Sequence, residues 1–356
     1  MDVAGRIYRI GIVGASSLAG KELIDALAES SLAASDIVLL DDDSATGQLM
    51  TSGDEVTVIQ KIEAESFAGL DFVFFAGDAA AANKHWKAAR AAGASLVDMT
   101  YALEREPGTV VRAPWVRGSQ VGGEDETAAN IPELDLTTQA VVAAHPAALM
   151  LLIAATRLRA KFVLRAISAT VFEPASEHGR AAMDELHQQT VSLLSFQSLP
   201  REQYDAQVAF NLLPSLGEEA KVNLNAARER IAAHFSGFAG SAMPELALQL
   251  LQAPVFHGYV VSALIELSET ATVAQVELAV FGEHVDVVAA ESDPPSNISA
   301  AGQGDVLFRI SAADGGHEAS SRFWLWMAAD NLKLAALNGI ACAVELGRLR
   351  PQGIVQ

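Results

Sequence analysis

Tyr8-Arg9-Ile10-Gly11-Ile12-Val13-Gly14-Ala15-Ser16-Ser17-Leu18-Ala19-Gly20-Lys21-Glu22-Leu23-Ile24 reads as a strand turning into a helix: the apolar run Ile10 to Val13 ends at Gly14, and Leu18, Leu23, Ile24 and Leu27 then recur at helical spacing. Such a turn is a dinucleotide-binding start. A glycine after the strand permits a tight turn, and the exposed N–H groups and positive dipole end of the new helix face a pyrophosphate. The spacing here is Gly14-x-x-Ser17-x-x-Gly20, so a side chain stands at Ser17 where close backbone approach to phosphate is usually wanted. Its hydroxyl offers a donor to a phosphate oxygen instead. The competing reading of the motif by itself is a strand-helix turn that binds nothing.

Outward from the turn, Asp36-Ile37-Val38-Leu39-Leu40 reads as a second parallel strand ending in Asp41-Asp42-Asp43. In nucleotide-binding folds of this kind an acid at that place accepts from the adenosine ribose 2′-hydroxyl, whereas a 2′-phosphate needs a basic neighbour. With no Arg or Lys nearby, the three aspartates favour NAD over NADP; alternatively they simply solvate a loop. Phe72-Val73-Phe74-Phe75-Ala76-Gly77 is a third strand, followed by an alanine-rich helix from about Ala79 to Ala92 and the strand Ser95-Leu96-Val97-Asp98. A Gly- and acid-rich stretch from Gly118 to Asn130 reads as a surface loop, and Ala140 to Ala144 as a further strand. Alternating strands and helices of this length imply an α/β, Rossmann-like parallel sheet with helices on both faces.

The length of 356 residues suggests two domains. A formal charge of -20 and a pI near 4.7 argue against nucleic acid or an anionic membrane as partner. The single cysteine, Cys342, excludes an internal disulfide and a multi-cysteine metal site, and a small buried apolar role is preferred for it. His85, His178, His187, His234, His284 and His317 show no metal-ligand spacing with carboxylates, so no metal is expected. The most apolar stretch, Ala140 to Ala155, is interrupted by His145 and Pro146 and fits a buried strand and helix rather than a bilayer span. No signal peptide is visible, and a cytoplasmic location is expected.

The second half has a different texture. Phe162 to Phe172 and Val255 to Leu267 are long strand candidates, Val306 to Ile310 and Phe323 to Met327 shorter ones, and Ala182 to Leu194 is helical. Long strands with few crossover helices predict an α+β domain on a largely antiparallel sheet. A final helix, Leu332 to Leu346, is apolar on several faces and is expected to return to the first domain.

Phe74-Phe75-Ala76-Gly77, Leu96-Val97-Asp98, Phe210-Asn211-Leu212-Leu213-Pro214, Ala253-Pro254-Val255-Phe256 and Ala329-Asp330-Asn331-Leu332-Lys333, taken with the glycine turn, resemble the aspartate-semialdehyde dehydrogenase family over nearly the whole chain. Gln252 to Phe256 and Ala209 to Pro214 are especially similar to a branch of catalytically altered paralogues that lack the active-site cysteine. The resemblance implies a dinucleotide-binding domain over 1–144, completed by a C-terminal helix over 331–356. Residues 145–330 then form a substrate and dimerisation domain, and a homodimer is expected. Candidate cofactor-binding residues are Gly14, Ser16, Ser17, Leu18, Gly20, Asp41, Ala76, Gly77 and Asn331.

In that family a cysteine thiolate attacks the aldehyde carbon, a histidine moves the proton, hydride passes to the nicotinamide, and phosphate releases an acyl phosphate. Here the residues matching the Asn-Pro-Asn-Cys nucleophile motif are His145-Pro146-Ala147-Ala148. The acid-base histidine position is Tyr259, the carboxylate-gripping arginine position is Gln252, and the substrate-orienting glutamine position is Glu173. The phosphate-binding arginine position falls on Glu104, with Arg105 one residue away. Alanine cannot form a covalent intermediate, and tyrosine titrates too high, at about 10, to shuttle protons well at neutral pH.

These changes together predict loss of the phosphorylating dehydrogenation. A cluster of His145, His257, Tyr259 and Glu173 is the candidate substitute, with His257 and Tyr259 on one strand face by the two-residue period. Its alternatives are acid-base work and polar filling of a disused pocket. Four functions stay open: a non-catalytic paralogue that keeps the fold, with or without NAD, a cysteine-independent reductase of a small oxo compound with Tyr259 or His257 as acid, an interaction partner of an active dehydrogenase, and residual semialdehyde activity.

Overall fold

The computed structural model describes residues 7–32, 36–52, 55–117, 133–135, 137–240, 243–315 and 319–349; the expected loop from Gly118 to Asn130 lies outside them. The chain divides into two compact units, the first comprising Met1–Pro114, Pro132–Ala144 and Ala335–Gln356, the second Trp115–Ile131 and His145–Leu334.

In the first unit, β1 (Arg9–Val13) leads into α1 (Leu18–Ala28), then β2 (Asp36–Asp41), a hairpin of β3 (Leu49–Ser52) and β4 (Glu55–Val58), and the two-residue β5 (Gln60–Lys61). There follow β6 (Phe72–Phe75), α2 (Ala79–Ala91), β7 (Ser95–Asp98), β8 (Thr109–Arg112) and, after a short α3 (Pro114–Arg117) of which only Pro114 belongs to this unit, β9 (Ala140–Ala143). The seven-stranded sheet has the order β5-β2-β1-β6-β7-β9-β8 with every pair parallel. Strands buried on both faces must be apolar throughout, and all four residues of β6 are buried. Each buried Phe there contributes on the order of 2 kcal/mol.

One face packs Leu23, Ile24 and Leu27 of α1 and Ile340, Ala343 and Leu346 of a C-terminal helix against Ile10, Ile12 and Phe74. The other packs Ala82, Trp86 and Ala89 of α2 against Val13, Val73 and Phe75. Buried Arg112 pairs with Glu345 at 2.9 Å within this unit.

The second unit holds α4 (Pro146–Arg159), β10 (Leu164–Glu173), α5 (Gly179–Leu194), α6 (Leu224–Ala239), β11 (Leu246–Gln252), β12 (Tyr259–Ala271), α7 (Val273–Val280), β13 (Val285–Val287), β14 (Val306–Ala312), β15 (Ser320–Ala329) and the start of α8 (Asn331–Gly347). Its six strands run β11-β10-β12-β15-β14-β13. The three central pairings are antiparallel, while β10–β11 and β13–β14 are parallel. Period-two burial along β12 shows why one face is covered: Tyr259, Val261, Ala263, Ile265 and Leu267 point inward. On the other face Trp324 and Trp326 of β15 are 44% and 36% exposed. No described helix is long and apolar enough to cross a membrane.

Candidate functional site

At the glycine turn, Gly14 has φ +84, and a Cβ on it would lie 2.3 Å from the Gly77 Cα, so the ends of β1 and β6 approach backbone to backbone. This is the place in an open parallel sheet where the connections diverge to opposite faces and a crevice opens. A Cβ at Gly20 would meet the Gly14 carbonyl oxygen at 2.2 Å, so the last glycine serves close helix–strand packing. Ser17 caps α1: its Oγ accepts from Gly20 N at 2.9 Å and donates to the Ala76 carbonyl at 2.9 Å. Its single proton is thus committed within the turn, which corrects the expectation that the hydroxyl donates to a phosphate.

Gly14, Ser16, Ser17, Asp41 and Gly77 line a cavity of about 430 Å³; Leu18 opens the helix, while Gly20 and Ala76 are buried behind it. Asp41 is fixed on both oxygens, Oδ2 accepting from Ser16 N at 2.8 Å and Oδ1 from Asp42 N at 2.9 Å. A second correction concerns the acids. Asp41 stands opposite Lys61 in the β2–β5 register, Lys61 Nζ lies 2.7 Å from Asp43 Oδ1, and Lys84 also lines the cavity. The basic neighbour absent from the local sequence arrives through sheet pairing.

In the second unit, strand register gathers the other candidates. Glu173 stands opposite Gln252 of β11, Phe172 stands opposite Val260 so that Glu173 meets Tyr259, and Tyr259 pairs with Ala329, two residues before Asn331. His145 caps α4, its Nδ1 accepting from Ala147 N at 3.2 Å, with Pro146 in the first turn where no N–H is needed. That bond leaves the proton of the neutral ring on Nε2, which faces Tyr259 Oη at 3.5 Å and Glu177 Oε1 at 3.4 Å. Tyr259 donates to Glu173 Oε1 at 3.4 Å, and His178 Nε2 lies 3.1 Å from Glu173 Oε2. His234 Nδ1 accepts from His145 N at 2.9 Å.

Burial governs the charges. It holds His145 well below the ordinary histidine value, with His234, Arg230 and His178 adding to the effect. Burial, then the charge of Glu173, raises Glu177 to about 7. Desolvation lowers His178, yet the charge and hydrogen bond of Glu173 together with the charge of Glu177 raise it overall. The cluster can therefore pass protons among carboxylates, imidazoles and a phenol, and the negative charge at Glu173 is answered by His178 beside it.

Gln252, fully buried, uses Nε2 to bond the carbonyls of Glu173 and Ala253, both at 3.1 Å. Those two acceptors fix the amide, and the atom left over, Oε1, is an acceptor with no hydrogen-bond partner among the described residues. An acceptor cannot grip a carboxylate.

His145, Glu173 and Tyr259 thus come together as expected, and Ala148 lies fully buried in the first turn of α4. His257 does not join them on a strand face. The strand begins only at Tyr259, after Gly258 at φ +85, so the two-residue period does not extend back to it. Asn331, expected among cofactor-binding residues, belongs to the cluster: its Oδ1 accepts from Gly258 N at 3.0 Å and Ser176 Oγ at 3.1 Å, and its Nδ2 donates to Glu177 at 3.3 Å. Glu104 is half-buried and Arg105 exposed after Tyr101, a residue at φ +63. Sequence reasoning missed Glu177, His178 and His234; the dense run Glu173-Pro-Ala-Ser-Glu177-His178 directly after a strand was the available signal.

Residues 9–141 match the family model described as semialdehyde dehydrogenase, NAD binding domain, and residues 156–334 match its dimerisation domain. The chain belongs to the semialdehyde dehydrogenase family. A USG-1 protein homolog of Pseudomonas aeruginosa is 29% identical over 342 residues, covering 96% of both chains. An aspartate-semialdehyde dehydrogenase of Rickettsia conorii is 23% identical over 348 residues, 95% of this chain and 97% of that one. The solved structure of a probable aspartate-semialdehyde dehydrogenase from Pseudomonas aeruginosa superposes with a TM-score of 0.81 at 25% identity, covering 96% of this chain and 98% of that one.

In this semialdehyde dehydrogenase homologue the glycine-turn cavity falls inside the NAD binding match, and Glu173, Gln252 and Tyr259 inside the dimerisation match. His145 and Ala148 fall between the two matched segments.

Proposed function

We propose that this chain is a semialdehyde dehydrogenase paralogue that retains a dinucleotide cavity, prefers NAD to NADP, and does not carry out cysteine-dependent phosphorylating dehydrogenation. The observation that carries this reading is the position of its one thiol. Cys342 is fully buried in α8, its Sγ directed at the Arg112 carbonyl at 3.8 Å, and burial and the Glu345 carboxylate push the thiol far above its ordinary pKa. A thiol that does not ionise and cannot be reached is no nucleophile. Supporting it, Ala148 stands where the resemblance implies the nucleophile, Gln252 presents an acceptor where it implies a cation, and Glu173 is an acid where it implies a neutral glutamine. The cluster that remains is structural, and two copies associate as a homodimer.

A second reading is favoured by the hydrogen-bonded chain His145–Tyr259–Glu173: direct hydride transfer from NADH to a small oxo-acid, with Tyr259 as acid. Calorimetric titration with NAD and NADP, followed by phosphate-dependent assay of aspartate semialdehyde with the wild type and Ala148→Cys, tests the first reading. NAD binding without turnover by either protein is the expected result. Normal turnover by the wild type overturns the proposal, and NADH-dependent oxo-acid reduction lost in Tyr259→Phe selects the second reading.

A further inference from the structure

The dinucleotide cavity carries a feature that the glycine turn alone does not explain. At the adenosine end of such a crevice the residues after the second strand decide between a 2′-hydroxyl and a 2′-phosphate. In this chain that position is contested by both signs of charge. Asp41, Asp42 and Asp43 come from the end of β2, Lys61 from the neighbouring β5, and Lys84 from α2.

The charges differ in freedom. Asp41 cannot swing away from a ligand, because Ser16 N and Asp42 N each hold one of its oxygens. Asp42 is likewise held, by the Ser44 N–H and hydroxyl at 2.8 and 2.6 Å. Lys61 is different. Its ammonium lies 2.7 Å from Asp43 in an ion pair whose side chains are 50% and 76% exposed. An exposed pair of this kind is weak and screened by salt, so it directs the lysine without locking it.

We infer that the Lys61–Asp43 pair sets which dinucleotide the first unit accepts: drawn toward Asp43, Lys61 is only partly available to a 2′-phosphate, while the fixed Asp41 meets a 2′-hydroxyl. This rests on the dinucleotide-binding reading and deepens it by naming the selecting residues. A 2′-phosphate entering the cavity meets three carboxylates, and Lys61 beside them already has a counter-charge. Loss of the Asp43 charge removes one repulsion and at the same time frees Lys61 to pair with the phosphate. Loss of Lys61 leaves the three acids without their paired cation.

The test is titration of the full chain and of Asp43→Asn, Lys61→Gln and the double variant with NAD and with NADP, at one fixed salt concentration. The quantity read is the ratio of NADP to NAD affinity. Asp43→Asn should raise it roughly five- to tenfold and Lys61→Gln lower it roughly fivefold, the sizes expected for single charges in a solvated cavity. In the Lys61→Gln background, Asp43→Asn should raise it only about twofold, because no cation is then released.

An equal gain with and without Lys61, or a ratio insensitive to Lys61→Gln, overturns the inference while leaving nucleotide binding intact. Tighter binding of NADP than of NAD by the unaltered chain also overturns it. Failure of all four proteins to bind either nucleotide overturns it together with the nucleotide-binding reading.

Discussion

Replacing Glu177 by glutamine should change how the second unit responds to pH more than it changes the unit's stability at any one pH. Glu177 is raised from an ordinary 4.5 to about 7, first by burial and then by the charge of Glu173, against the opposing effects of His178, Asn331 and Tyr259. A carboxyl with a folded pKa above its unfolded one binds more protons in the folded state. Between pH 4.5 and 7 the unfolded chain has therefore released a proton that the folded chain keeps, and stability falls as pH rises through that window. At roughly 1.4 kcal/mol per pH unit, the difference amounts to about 3 kcal/mol once both forms are ionised.

The amide introduced by Glu177→Gln does not titrate. It has one carbonyl oxygen to serve both Asn331 Nδ2 and His145 Nε2, and the lost hydrogen bond costs about 1 kcal/mol at every pH. That constant cancels when the two proteins are compared across pH. The assay is urea unfolding at pH 5 and pH 8, by tryptophan fluorescence, in a Trp86→Phe background. The three remaining tryptophans, Trp115, Trp324 and Trp326, then all belong to the second unit. Glu177→Gln should gain about 2.5 kcal/mol on the parent between those pH values. Equal pH dependence of the two proteins refutes the assignment of the buried proton to Glu177.

Gly20→Ala should destabilise the first unit by about 2 kcal/mol, since its Cβ would sit 2.2 Å from the Gly14 oxygen. A thermal midpoint equal to wild type would show that α1 does not rest on β1 as closely as this. The exposed sheet face with Trp324 and Trp326 should be covered by a second copy, so sedimentation should give twice the 37.4 kDa chain mass; a monomeric mass at micromolar concentration would refute the homodimer.

The fold was legible where a local pattern and a long-range one agreed. β1, β6, β7 and β9 are apolar runs closed by turn residues, and both α1 and α2 follow within a few residues at helical spacing. β12 was misplaced, from Val255 to Leu267 instead of Tyr259–Ala271, because Val255, Phe256 and Tyr259 look strand-forming, while Gly258 at φ +85 breaks the run. α6 went unread: its buried residues, among them Leu224, Ile231, Phe235 and Phe238, are diluted by alanine and charge. β5 has two residues, both exposed, and no periodicity can reveal a strand of that length. Yet β5 is what delivers Lys61 to the aspartates, so the sign of charge at the cavity was misread through one very short strand.

The strand-end cluster was half legible for a related reason. His145, Glu173, Gln252 and Tyr259 stand at positions the family resemblance marks, but Glu177 and His178 lie in a single 3₁₀ turn, Ala175–His178, where no period operates. Physical necessity could have pointed to them. A carboxylate fully buried at Glu173, where the resemblance implies a neutral glutamine, is tolerable only with a cation or a shared proton beside it. His178 at 3.1 Å supplies the cation, and the proton retained by Glu177 prevents a second buried negative charge. The acid at 173 and the histidine at 178 are accordingly one unit, and removing the imidazole alone would strand a charge that the rest of the cluster, with His145 held neutral, cannot answer.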